Sequence, residues 1–108
     1  MNDLCWDKQF ALEQAADDAE LLQELIDIFK DSYKSDLRLL EEGLGEEGGS
    51  AKVCRAAHSM KGAAASLGIL GIQRLALAIE EESRHGCLDT AQSSLPALHA
   101  MGEELDKL

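Results

Sequence analysis

The sequence predicts an all-α protein, an up-and-down four-helix bundle with a short additional N-terminal helix. Three observations carry this. A single proline interrupts 108 residues otherwise rich in Leu, Ala and Glu, a composition that favours helices over strands. Apolar residues recur at alternating spacings of three and four, and no segment alternates with the period of a strand. The connections are short and marked by glycine, which makes sequential helices antiparallel neighbours.

Asp7 is placed to cap a short helix over about residues 8–15 that carries Phe10, Ala11 and Leu12. Ala16 to Ala19 breaks it and offers Asp17 or Asp18 as the next cap. A long amphipathic helix follows, with Leu22, Ile26, Phe29, Tyr33, Leu37, Leu40 and Leu44 on its apolar face, ending near Gly43–Gly49. Asp27, Lys30, Asp31, Lys34, Arg38 and Glu41 form its solvated face. The loop after it has Gly43 and Gly48 at the separation of a phosphate-binding loop, but Gly49 stands where the lysine belongs, and Glu46 and Glu47 would repel a nucleotide. It reads as a plain connection, with Ser50 capping the next helix.

That third helix runs from Ala51 to about Leu67 on a stripe of Val53, Ala57, Met60, Ala64 and Leu67. Gly68 and Gly71 interrupt it. A fourth helix turns Ile72, Leu75, Ala76 and Ile79 inward and stops at Gly86, after a last turn whose Arg84 and His85 suit the negative end of a helix. The last segment, from Asp89, repeats Ala91, Leu95, Leu98, Met101, Leu105 and Leu108. Pro96 either kinks it or lies in the first turn of a fresh start capped by Ser93 or Ser94. Met60, Met101, Phe29 and Tyr33 read as core, Trp6 as packing the N-terminal helix down as a lid, and His99 as a surface residue.

At 11.7 kDa, with 45% hydrophobic and 29% charged residues, the chain fits one globular domain over residues 1–108. A net charge of −11 argues against a nucleic-acid partner, since phosphate backbones demand an excess of Lys and Arg. No apolar run approaches the roughly 18–20 residues that span a bilayer. The start, Met-Asn-Asp-Leu-Cys-Trp-Asp, lacks the basic and apolar regions of a signal peptide. Three cysteines without CxxC spacing suit a reducing compartment. A soluble cytoplasmic protein is therefore the expectation.

The charge distribution is more informative than its total. Residues 1–47 hold fourteen acids against four bases, and residues 80–108 seven against two. Between Gly48 and Ile79 there is no acid at all, only Lys52, Arg55, Lys61 and Arg74, with His58 among them. On a helix advancing about 100° per residue, His58 lies roughly 100–140° from the centre of the core stripe and so faces outward. Lys61 stands three residues on, Gly62 four and Ala65 seven. A mid-helix glycine costs about 1 kcal/mol relative to alanine, and here it opens space one turn from the imidazole. A neutral imidazole is a nucleophile. A phosphoryl group placed on it would gain a charge-assisted contact from Lys61 and meet no nearby acid on its own helix.

The run Ala57-His58-Ser59-Met60-Lys61-Gly62-Ala63-Ala64-Ala65-Ser66-Leu67-Gly68 closely resembles the histidine-containing phosphotransfer (HPt) domains of two-component phosphorelays. Their motif is a histidine, two residues, Lys-Gly, small residues, and a glycine ten positions after the histidine. The resemblance extends to Leu75-Ala76, Ile79-Glu80, Arg84 through Gly86 and the Phe29 region. It implies His58 as phosphoacceptor through the ring nitrogen remote from the backbone, Lys61 as the residue that steadies the phosphoryl group, and Gly62 as the point of partner access. It places Glu80 where such domains carry Glu or Gln facing the histidine, either orienting the ring or standing as one surface acid beside Glu81 and Glu82. The implied partners are response-regulator receiver domains and a (hybrid) sensor histidine kinase. The protein would be a monomeric phosphoryl carrier with no kinase activity and no cofactor of its own, the Mg²⁺ being held by the receiver.

Two rival readings stand beside this one. A non-transferring module that binds and inhibits a receiver or kinase would have no use for His58. A metal site through Cys54, His58, His85 and Cys87 would need those four to meet. The apolar Ile69-Leu70 pair reads either as a partner patch or as packing at a helix end.

Overall fold

Asp7 starts the first helix by accepting the Phe10 amide at 3.0 Å. The computed structural model describes residues 4–108, so the first three residues of the stretch read as no signal peptide lie outside it. Six helices account for the described chain: α1 (Lys8–Gln14), α2 (Ala19–Leu44), α3 (Ser50–Ser66), α4 (Leu70–Arg84), α5 (Asp89–Ser93) and α6 (Leu95–Asp106). The architecture is the expected all-α bundle, its last predicted helix divided in two.

Asp18 is the cap of α2, accepting from the amides of Glu20 and Leu21. The 26 residues of α2, at 1.5 Å per residue, span about 39 Å and set the 45 Å long axis of the molecule. Its apolar stripe from Leu22 to Leu40 is buried as predicted. Ser50 is already helical, and Gly49 holds the cap position of α3 with no side-chain hydrogen bond. Glycine is required there because the chain returns on itself: a Cβ on Gly49 would lie 1.9 Å from the Gly43 carbonyl oxygen. The loop that reads as a plain connection is thus a backbone-on-backbone contact. At the other end, Ser94 occupies the cap position of α6 without a side-chain bond and Pro96 lies in the first turn, which decides for the fresh start. Proline's missing N–H is harmless there.

α3 packs against both α2 and α4, while α6 leans on α2. Ala56, Ala57 and Ala64 on α3 and Ala76 on α4 are fully buried, small side chains that suit close packing of helices. The segment before α1 clips their connecting turn. Leu4 is buried, Trp6 bridges Ile69 and donates its indole N–H to the Leu67 carbonyl at 3.0 Å, and the Asp7 amide donates to the Gly68 carbonyl at 2.9 Å. Ile69, fully buried in this clip, packs a helix end rather than forming a partner patch.

Tyr33 ties α2 to α6 by donating its buried hydroxyl to the Leu98 carbonyl at 2.7 Å. Burial pushes its phenol well above the ordinary value of 10.0. With the folded value raised, the stability this residue contributes is whole below pH 10, where the unfolded phenol titrates, and is lost as the pH rises beyond it. Tyr33→Phe is expected to cost about 1 kcal/mol at neutral pH. In urea unfolding series the wild-type advantage should narrow above about pH 10.

Candidate functional site

The site lies where α3 and α4 meet. On α4, Ile72, Ala76, Ile79 and Ser83 form the buried stripe, and Glu80 falls on its edge toward α3. Its carboxylate is 3% exposed and sits between two α3 residues. Oε2 lies 2.6 Å from His58 Nδ1, and Oε1 accepts from Lys61 Nζ at 2.5 Å. The surface-acid alternative for Glu80 is therefore set aside. His58 itself is outward, its side chain 69% exposed, whereas Lys61 is half-buried at 28%.

The electrostatics assign the ring's tautomer. Hydrogen bonding from Lys61 holds the Glu80 carboxyl below its ordinary value, against the opposing effect of burial, and the bond from His58 adds to the lowering. An ionised carboxylate only accepts. Nδ1 of a neutral His58 must then carry the hydrogen, leaving Nε2 with the lone pair. In that tautomer the lone pair lies on the nitrogen remote from the backbone, while Nδ1 faces the Glu80 carboxylate.

Gly62 is exposed, and a Cβ built on it meets nothing within 4 Å. No intramolecular contact explains a glycine in the middle of α3. Beyond it lie Ala63 and Ser66, which with Leu25, Ile28 and Phe29 of α2 line an apolar groove. Ile28 is 65% exposed, an apolar residue that the stripe reading of α2 did not single out. Ser59, beside His58 on α3, donates to Asp36 of α2 at 2.7 Å.

The four residues of the metal alternative are not gathered. Cys54 donates toward the Glu80 carbonyl at 3.7 Å, and Cys87 pairs with Glu82, which also accepts from Thr90 in a short contact. Among the described residues no group of three or more His, Cys, Asp or Glu is arranged to hold a metal ion. His99 pairs with Glu41 at 3.1 Å on the α2–α6 surface. Among the described residues, no helix is long and apolar enough to cross a membrane.

Arg84 is the member of the cluster that sequence reasoning placed elsewhere, in a helix-end role. Its Nη2 lies 3.6 Å from Glu80 Oε2. The signal was present in the i,i+4 spacing of Glu80 and Arg84, but it carries weight only once Glu80 is known to be buried.

A surface imidazole clasped by a buried carboxylate, on a bundle of antiparallel helices, defines a histidine-presenting helical module. The chain belongs to the Hpt domain family, whose model matches residues 24–108. Hpt domains are helical phosphotransfer modules of two-component signalling, phosphocarriers rather than kinases, that work with receiver domains and kinases. No curated protein and no solved structure matches the chain.

Proposed function

We propose that this protein relays a phosphoryl group between aspartates of receiver domains, with His58 Nε2 as the transient carrier. The observation that carries this reading is the Glu80 clasp, a buried carboxylate 2.6 Å from Nδ1 of an exposed ring, which with the carboxylate ionised leaves the lone pair on Nε2. In the forward step the Nε2 lone pair forms a bond to phosphorus, the bond from phosphorus to the aspartyl oxygen breaks, and the aspartate carboxylate leaves. Onward transfer reverses these events on a second receiver.

Glu80 stabilises the positive charge that the ring acquires when both nitrogens are substituted. Lys61 turns toward the phosphoryl oxygens, and Gly62 admits the partner's acidic pocket. Mg²⁺ belongs to the receiver, and the carrier works as a monomer with His58 uncovered, in the cytoplasm, taking its phosphoryl group from a receiver attached to or served by a sensor kinase.

The test is transfer of radiolabel from a phosphorylated receiver to the wild type and to His58→Gln. An acid-labile, alkali-stable label present in the wild type and lost in the variant is expected. Equal labelling of the two proteins would sink the assignment. Binding of receivers with no label moving to the wild type would leave a docking module in its place.

A further inference from the structure

A groove beside His58 is walled by Cys54 and Arg55 of α3 and by Glu80, Ser83 and Arg84 of α4. In it the Glu80 carboxylate serves three neighbours. Lys61 holds Oε1 at 2.5 Å, His58 holds Oε2 at 2.6 Å, and Arg84 stands 3.6 Å from that second oxygen. The resting arrangement contains a conflict. Lys61 is the cation that the proposed relay assigns to a phosphoryl group on His58, yet its ammonium is engaged by Glu80. If Lys61 turns away, Oε1 loses its shortest donor, and a carboxylate 3% exposed has little water to replace it.

Arg84 is placed to relieve this conflict. Its guanidinium is 60% exposed, stands one helical turn beyond Glu80 and already lies 3.6 Å from Oε2, the neighbour of the oxygen that Lys61 would leave. It carries five donors in a planar fork that fits both oxygens of a carboxylate. Glutamate followed by a cation at i+4 is the favourable orientation on a helix. We propose that Arg84 is a positioning residue for phosphoryl transfer, which takes over the charge of Glu80 when Lys61 turns to the phosphoryl group. The exchange keeps Glu80 ionised throughout, so that Nδ1–H stays held while Nε2 forms or breaks its bond to phosphorus. This inference rests on His58 as the acceptor.

Phosphoramidate, a small donor that needs no docking, isolates the step. The Nε2–phosphorus bond forms, the phosphorus–nitrogen bond of the donor breaks, and ammonia leaves. Uptake would be timed by phosphorus NMR for the wild type, Arg84→Ala, Arg84→Lys, Arg38→Ala on the solvated face of α2, Glu80→Gln, the Glu80→Gln/Arg84→Ala double variant and His58→Gln, each shown to be folded by thermal unfolding. Arg84→Ala is expected to slow uptake about tenfold, by analogy with the low end of the range for partners of metal-ligating histidines. Arg84→Lys should recover most of the rate, and Arg38→Ala should match the wild type. In the Glu80→Gln background Arg84→Ala should add no further loss, because the charge it balances is gone. A helix-end role for Arg84 would move thermal stability but neither the lysine rescue nor this coupling. Wild-type uptake by Arg84→Ala, or an equal loss in Arg38→Ala, would overturn the Arg84 role while His58→Gln stays inert. Full uptake by His58→Gln would overturn the acceptor assignment, and the Arg84 role with it.

Discussion

Glu80→Ala is expected to slow phosphoryl uptake by about 10- to 100-fold, by analogy with the loss when the partner that orients a metal-ligating histidine is removed. Two losses combine. The ring is no longer pinned through Nδ1, so neutral His58 divides between tautomers and part of the population presents a protonated Nε2. The charge that stabilises the doubly substituted ring is also gone. One gain works in the opposite direction, since Lys61 is freed for the phosphoryl group, but a free cation cannot restore the nucleophile. Glu80→Gln should fall between wild type and alanine, because an amide offers one oxygen where His58 and Lys61 occupy two. Nitrogen NMR of the imidazole separates the causes: the Nδ1–H form should dominate in the wild type and lose its dominance in Glu80→Ala. An unchanged tautomer together with an unchanged rate would remove Glu80 from the mechanism.

The same carboxylate leaves a signature in stability. Glu80→Ala strands the half-buried ammonium of Lys61, at a cost of about 1–3 kcal/mol. The folded Glu80 carboxyl is held below its ordinary value of 4.5, chiefly by Lys61. A lowered folded value means that the contribution is whole above about pH 4.5 and disappears as the pH falls through the folded value. The gap between wild type and Glu80→Gln in urea unfolding should therefore be flat from neutrality to about pH 5 and close in stronger acid. A gap that persists unchanged at pH 3 would mean that the ion pair is not its source.

What the sequence reveals of this site follows the range of the interactions involved. The outward direction of His58, the adjacent Lys61 and the opening at Gly62 are consequences of a 3.6-residue period within one helix, and they read directly from spacing. The core stripes of α2, α3 and α4 are equally local. The clasp is not, because whether Glu80 meets His58 depends on the register of α4 against α3. That register is a relation between two helices, and the periodicity of neither one encodes it. The resemblance points to Glu80 but leaves it either an orienting group or one surface acid beside Glu81 and Glu82, and the i,i+4 pairing with Arg84 gains weight only once burial decides between the two. At the α2–α3 turn, composition indicates a loop. The contact of Gly49 with the Gly43 carbonyl is a meeting of two backbones six residues apart, and side-chain patterning says nothing about it. Pro96 is the intermediate case: its chemistry allows two outcomes, and the fold takes the one with proline in the first turn of α6.

Replacing Gly62 with leucine is expected to cut transfer from a receiver by about 10- to 100-fold while leaving uptake from phosphoramidate near wild type. Within the molecule nothing opposes a side chain there, since a Cβ finds open space to 4 Å. Gly62→Ala should therefore stabilise α3 by about 0.5–1 kcal/mol, the ordinary helix-interior difference between the two residues. No internal steric need accounts for that loss of stability. In the proposed relay the partner brings its aspartate to within bonding distance of Nε2, one turn from Gly62, so a leucine here would displace the docked surface. Overpacking of a close contact costs about 1–3 kcal/mol, which is the stated range in rate. Comparing the two donors separates docking from chemistry, because the small donor reaches His58 without crossing Gly62. Equal slowing with both donors would show that the leucine disturbs the histidine itself, and unimpaired transfer from the receiver would mean that the partner approaches from the α4 side, over Arg84.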